Sequence, residues 1–167
     1  MKILAFDLGR HTGWAVLENG KLKTGSYMAR GQDEASVFID WSAWVSTLVS
    51  LENPEAIAFE DVRFNRGRSF IPGMKALLYV KASYMGLTCF GVDVMTLKKF
   101  AHGYDPGVSK WTGSKENMAD ALANTRYVDS REMDDNEVDA AWAAIWLDEN
   151  ATETAVGALP PAKKDAT

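Results

Sequence analysis

The sequence predicts a mixed α/β domain: a five-stranded sheet that opens with three antiparallel strands, continues with parallel ones and is flanked by helices. Three observations carry this reading. A short apolar run, Ile3-Leu4-Ala5-Phe6, is followed by two strand-like segments joined at Glu18-Asn19-Gly20-Lys21, and Asn-Gly accepts the positive φ values of a tight hairpin. Helical and strand-like segments then alternate down the chain. The length of 167 residues, with 47% hydrophobic and 25% charged, suits one domain with a substantial core.

The elements follow in order. Lys2 to Leu8 reads as a buried strand with Asp7 at its end, Thr12 to Leu17 as a second strand, and Leu22 to Met28 as a third, interrupted by Gly25. Asp33 or Ser36 caps a helix to about Leu51, in which Val37, Trp41, Trp44, Leu48 and Leu51 recur at helical spacing, and Pro54 stops continuation. Ala56 to Glu60 is a short buried strand, and residues 63–69 form a polar, basic loop. A helix runs from about Pro72 to Gly86, then a strand from Leu87 to Val94 and a short element from Met95 to Ala101. After a Gly- and Pro-containing loop over 102–114, Ser114 (with Asn117 nearby) starts a helix to about Asn124. Asp134 or Asp135 starts the last helix, to about Asn150. The stretch from Ala151, with Pro160-Pro161 and Lys163-Lys164, reads as a flexible tail, so 1–150 is the domain and 151–167 the tail. There are no internal repeats, and this order of elements matches the RNase H-like order.

Composition narrows the function classes. Cys89 is the single cysteine, so neither an internal disulfide nor a CxxC zinc site is available, and its apolar neighbours Leu87 and Phe90 mark it as a core residue. The start, Met1-Lys2-Ile3-Leu4-Ala5-Phe6-Asp7, meets a charge too early for a signal-peptide core, and no apolar run reaches the roughly 18 residues of a membrane span. The expectation is a soluble cytoplasmic protein. The net charge of −5 is unevenly spread. Residues 61–115 hold nine basic and three acidic side chains, against five and eight before them and four and twelve after them. A basic middle between acidic flanks suits a backbone-binding face beside an acidic, metal-binding centre, although solvated surface charge gives the same tally.

Three acids stand where folding gains nothing from an acid. Asp7 and Glu60 each end an apolar strand, and Asp139 precedes the apolar run Ala140-Ala141-Trp142-Ala143-Ala144-Ile145-Trp146. Acids are depleted in strands, and an ionised carboxylate near a core is costly unless paired or metal-bound. Two strand-end acids with a helix acid laid across them can converge on Mg²⁺, a hard cation that binds carboxylate oxygen. Two such ions can hold the attacking water and the leaving oxygen of a phosphodiester displacement. A fourth ligand would lie one helical turn before Asp139, at Asp135 or Asn136, while Asp134 suits a helix cap. Each acid has an ordinary alternative: Asp7 a turn before Gly9, Glu60 a pair with Arg63, and Asp135, Glu137 and Asp139 an acidic helix start.

Five segments, in order along the chain, give the sequence a family likeness. They are Ala5-Phe6-Asp7-Leu8-Gly9-Arg10-His11-Thr12-Gly13-Trp14-Ala15, Phe59-Glu60-Asp61-Val62, Leu97-Lys98-Lys99-Phe100-Ala101-His102-Gly103, Ser114-Lys115-Glu116-Asn117-Met118 and Asp135-Asn136-Glu137-Val138-Asp139-Ala140-Ala141. With these the chain resembles the RuvC-type Holliday-junction resolvases, most of all their bacteriophage branch. The resemblance implies an RNase H-like fold and a homodimer that cuts four-way DNA junctions with Mg²⁺ or Mn²⁺, in the host cytoplasm if phage-encoded. It gives metal-ligand roles to Asp7, Glu60 and Asp139, and places the fourth ligand at Asn136, a weaker neutral donor for which Asp135 can substitute. It matches the family's active-site lysines to Lys98, or else Lys99, and to Lys115, where an ammonium stabilises charge on the scissile phosphate. The DNA-binding candidates are Arg63, Arg66, Arg68, Lys99 and Lys110 for phosphates, and Phe64, which either stacks on an unpaired base or anchors its loop. The loop from Tyr104 to Gly113, with Lys110 and Trp111, is long for the family. Trp41, Trp44, Trp142 and Trp146 lie at helical spacing among apolar neighbours and read as core or dimer interface.

Three other functions stay open. One is an RNase H-like RNA-processing nuclease, against which the glutamate strand and the Lys-Lys segment speak. Another is a non-catalytic junction-binding protein, which Asn136 keeps in play. The third is the phosphate loop of a sugar kinase or actin-like ATPase, which Asp7-Leu8-Gly9 with Thr12-Gly13 resembles; 167 residues are too few for the two domains it needs.

Overall fold

A computed structural model describes residues 1–62, 70–104, 112–127 and 132–151. Strands β1 (Ile3–Asp7), β2 (His11–Glu18), β3 (Lys21–Met28), β4 (Ala56–Asp61) and β5 (Thr88–Asp93) form a five-stranded sheet in the order β3-β2-β1-β4-β5. The β1–β2 and β2–β3 pairs are antiparallel, whereas β1–β4 and β4–β5 are parallel. Asn19 at φ 52° and Gly20 at φ 72° make the expected tight hairpin between β2 and β3. The helices are α1 (Glu34–Glu52), α2 (Phe70–Tyr84), α3 (Val94–His102), α4 (Lys115–Ala123) and α5 (Asp135–Asn150). No helix among the described residues is long and apolar enough to cross a membrane.

Strand alternation splits the core in two. Ile3, Ala5, Ala15, Leu17, Ala56, Ala58 and Val92 face α3, α4 and α5. Leu4, Phe6, Val16, Ile57 and Phe59 face α1 and α2. Trp41 and Trp142 are fully buried, one in each core, and Trp44 and Trp146 are half-buried against them. Cys89 is half-buried against the α1–α2 core, and burial pushes its thiol up to about 12, as befits a packing residue.

Three boundaries differ from the sequence reading, each for a local reason. β5 stops at Asp93 instead of Val94, because the Asp93 carboxylate accepts hydrogen bonds from the backbone N–H groups of Met95 and Thr96 and starts α3. α2 begins at Phe70, so Pro72 falls in its first turn, where a missing N–H costs no helical bond. Leu51 is 75% exposed, because the inward line of α1 runs Val37, Trp41, Val45, Leu48 and on to Glu52. Glu52 lies 2.6 Å from Lys23 Nζ and 3.3 Å from Lys2 Nζ, and these two ammonium groups hold its carboxyl below the usual range.

Helix α5 is buried on nearly all sides, between the sheet and α3 and α4. Its small residues Ala140, Ala141, Ala143 and Ala144 share one core with Ala5, Ala15 and Ala58 of the sheet. Trp142 Nε1 donates to the Met118 carbonyl at 3.0 Å, tying α5 to α4. The first turn of α5 sits directly on Gly13 of β2: a Cβ there would lie 2.0 Å from the Asn136 carbonyl oxygen and 2.7 Å from the Glu137 nitrogen. Both neighbours are backbone, so neither can swing aside. Gly13→Ala should therefore lift the start of α5 and cost about 3 kcal/mol of stability or more, read as a lowered midpoint in urea denaturation. An unchanged midpoint would show that the helix is not seated as described.

Candidate metal centre

The strand pattern that divides the core also aims the acids. Asp7 continues the Ile3, Ala5 face of β1, and Glu60 continues the Ala56, Ala58 face of β4. β1 and β4 pair in parallel, with Phe6 opposite Phe59, so the next residues, Asp7 and Glu60, emerge side by side under α5. Asp61, one step on, faces the other way and pairs with Lys75 of α2 at 2.6 Å. Asp139 projects from α5 onto the same spot. Asp7, Glu60 and Asp139 each offer a carboxylate oxygen within 4.8 Å of the others, and all three are half-buried.

The turn after Asp7 is pinned from below. The buried Thr12 hydroxyl donates to the Gly9 carbonyl at 2.5 Å and accepts from Trp41 Nε1 at 3.0 Å. The start of α5 is pinned from the side. Asp134 caps the helix by accepting from the Glu137 N–H at 2.9 Å, and Glu137 Oε2 accepts from the Asp134 N–H at 2.8 Å. Glu137, 7% exposed, is thus a structural acid, and it also receives the Thr24 hydroxyl at 3.4 Å.

Burial pushes the Asp139 carboxyl up to about 6; Lys115 and Lys98 pull it back down, and Asp135 adds to the rise. Lys115 is held above the usual range first by its hydrogen bond to Asp135, with Asp139 and Asp7 contributing charge. Lys98 is half-buried and its stem lies against Gly113, where a Cβ would approach its Cδ to 2.8 Å. Lys99 is exposed, so of the two adjacent lysines Lys98 is the one whose charge acts on the cluster.

The two candidates for a fourth ligand are engaged differently. Asp135 is exposed and pairs with Lys115 Nζ at 2.6 Å, and it is not part of the close acidic group. Asn136 is half-buried, and its Nδ2 donates to His11 Nδ1 at 3.0 Å. Arg63, Phe64, Arg66, Arg68 and Lys110, together with Trp111, lie outside the described residues.

No protein-family model and no curated protein matches the sequence. Solved structures do match. RuvC from Thermus thermophilus superposes with a TM-score of 0.70 at 18% identity, over 92% of this chain and 97% of that one. The same protein in complex with a Holliday junction substrate gives 0.67 at 17%, over 92% and 96%. Ydc2, the yeast mitochondrial Holliday junction resolvase, gives 0.61 at 17%, over 91% and 80%. The fold is RNase H-like. Identity this low establishes the architecture alone, and the chemistry has to come from the residues.

Those residues suit a divalent cation. Three hard oxygen donors converge at half-buried positions, and one of them, Asp139, is held in its charged form at a cost that a cation would reverse. Because the folded value of Asp139 is raised, its favourable contribution is complete below the unfolded value near 3.8 and is lost as pH rises through about 6. Without metal, Asp139→Asn should therefore be the more stable protein at pH 8, by of the order of 2 kcal/mol, and gain nothing at pH 3. Added Mg²⁺ should raise the melting temperature of the unsubstituted chain at pH 8 and leave Asp139→Asn nearly unmoved. Equal Mg²⁺ responses would remove Asp139 from the ligand set.

Proposed function

We propose that the chain is a metal-dependent, structure-selective endodeoxyribonuclease that resolves four-way and other branched DNA junctions, with residues 1–150 as its nuclease domain. The observation that carries this reading is the convergence of Asp7, Glu60 and Asp139 beside Lys98 and Lys115, on a fold shared with proteins named as Holliday junction resolvases. Asp7, Glu60 and Asp139 would hold Mg²⁺, with Mn²⁺ as a substitute, and Asn136 would complete the set. Bound ions supply a nucleophile from water and offset charge at the leaving oxygen. Lys98 and Lys115 add fixed positive charge where the phosphate gains negative charge. Lys115 pairs with Asp135 and can exchange that partner for a phosphate oxygen, since both groups are exposed. Lys99, with Arg63, Phe64, Arg66, Arg68 and Lys110, would bind the DNA arms.

The described residues of one chain carry one such centre, and a four-way junction has two strands to cut about a two-fold axis, so the working unit would be a homodimer. The exposed Tyr79, Val80 and Tyr84 of α2 and the adjacent Met85 give it an apolar face.

The reading is tested by incubating labelled four-way junction, fork, linear duplex and RNA–DNA hybrid with Mg²⁺, Mn²⁺ or EDTA. Symmetric, metal-dependent nicks in the junction are expected. Cutting of the hybrid would move the protein to RNA processing, and binding without cutting would make it a junction-binding protein. Asp7→Asn should abolish cleavage while leaving junction binding intact or tighter, because it removes a negative charge facing phosphate. Normal cutting by that variant would place the chemistry elsewhere. Asn136→Ala should cost more activity than Asp135→Asn; the opposite ranking would make Asp135 the fourth ligand.

A further inference from the structure

An amide is an awkward metal ligand. Its oxygen can ligate, but its nitrogen is only a donor, and the two ends have nearly the same shape. Three residues before Asp139 on α5, a freely turning amide would direct its NH₂ group at a neighbouring carboxylate. At Asn136 that group is already taken: Nδ2 donates to His11 Nδ1 at 3.0 Å. Oδ1 makes no hydrogen bond among the described residues.

His11 is itself held. It begins β2 on the same face as Gly13, the residue on which the first turn of α5 rests. Its other nitrogen, Nε2, lies 3.5 Å from Asp134 Oδ2. The Asp134 carboxylate favours the tautomer with the proton on Nε2, and that tautomer leaves Nδ1 as an acceptor. Asp134 is fixed in turn as the cap of α5, through its other oxygen and the Glu137 N–H at 2.9 Å. A continuous chain therefore runs from helix cap to imidazole to carboxamide.

We propose that His11 is a positioning residue: it takes the NH₂ end of Asn136 and so presents Oδ1 to the cation at the Asp7, Glu60, Asp139 centre. The proposal rests on the metal-site reading above and adds a residue to it that touches neither metal nor substrate. It also shows why a neutral side chain can serve at 136, since orientation replaces charge.

The test reads Mn²⁺ affinity on the full chain without DNA, from the free-ion electron paramagnetic resonance signal. Outer partners of metal ligands commonly contribute tenfold to hundredfold in affinity. His11→Ala should bind Mn²⁺ about tenfold more weakly or worse. His11→Gln, which keeps an acceptor oxygen, should recover part of the loss. Asn136→Asp in the His11→Ala background should restore affinity, because a carboxylate offers oxygen whichever way it turns. His11 is partly exposed, 41% for its side chain, so its removal opens no core; matching thermal melts would confirm folding. Unchanged affinity in His11→Ala would overturn the proposal and leave the metal site standing. A loss that Asn136→Asp does not restore would also overturn it, making His11 a brace for α5 instead. Absence of Mn²⁺ binding by the unsubstituted chain would overturn the metal-site reading and this proposal with it.

Discussion

Everything at the candidate centre depends on how closely α5 lies on the sheet. The helix carries Asp139 and the strands carry Asp7 and Glu60, so the three oxygens meet only if the start of the helix is seated closely on the sheet. Alanines on both sides permit this, and Gly13 permits it most at the end where the acids are. Such a contact sacrifices apolar area, because alanine buries little. Large side chains supply the bulk elsewhere: Trp142 packs against Phe100 of α3 and reaches Met118 of α4, and Phe6, Phe59 and Trp41 lie in the core on the opposite face. The two-sided core therefore lets one layer be thin enough to bring carboxylates together while the other supplies bulk.

Close approach of like charges is unfavourable, and the surroundings show how the cost is limited. Lys98 and Lys115 reach the cluster from α3 and α4, the two helices that clamp α5 from outside. Their charge offsets part of the burial penalty on Asp139 without entering the ligand positions. The same helices thus complete the core and neutralise the site. Two bases from the basic middle of the sequence thus meet acids from its acidic flanks.

Much of this was readable in the residues, and the remainder was not for definite reasons. Acids at the ends of apolar strands stand out because folding gains nothing from them, which is why Asp7, Glu60 and Asp139 were conspicuous. Local chemistry marked the Asn19-Gly20 hairpin and the cap at Ser114, and narrowed two other helix starts to Asp33 or Ser36 and to Asp134 or Asp135, because a cap acts within three residues of itself. Long-range partners carry no such mark. His11 and Asn136 are 125 positions apart, and Thr12 and Trp41 are 29 apart, so neither pair could be drawn without the sheet order. Gly13 did carry a signal, a glycine inside a strand, but what approached it could not be read. The choice between Lys98 and Lys99 needed the packing of Gly113 against one of them. The inward turn of Glu52 in place of Leu51 needed the two lysines waiting for it.

A neutral side chain at 136 is then understandable on electrostatic grounds. With Asp139 already raised to about 6 by burial, and Asp135 adding to the rise, another carboxylate at 136 would lift it further. An amide adds an oxygen without that penalty, but gives up the symmetry that makes a carboxylate indifferent to rotation. The cap of α5 supplies what is lost: Asp134 is required to end the helix in any case, and its spare oxygen faces His11. A local feature that any helix in this position would need thereby sets the orientation of a side chain one turn before Asp139.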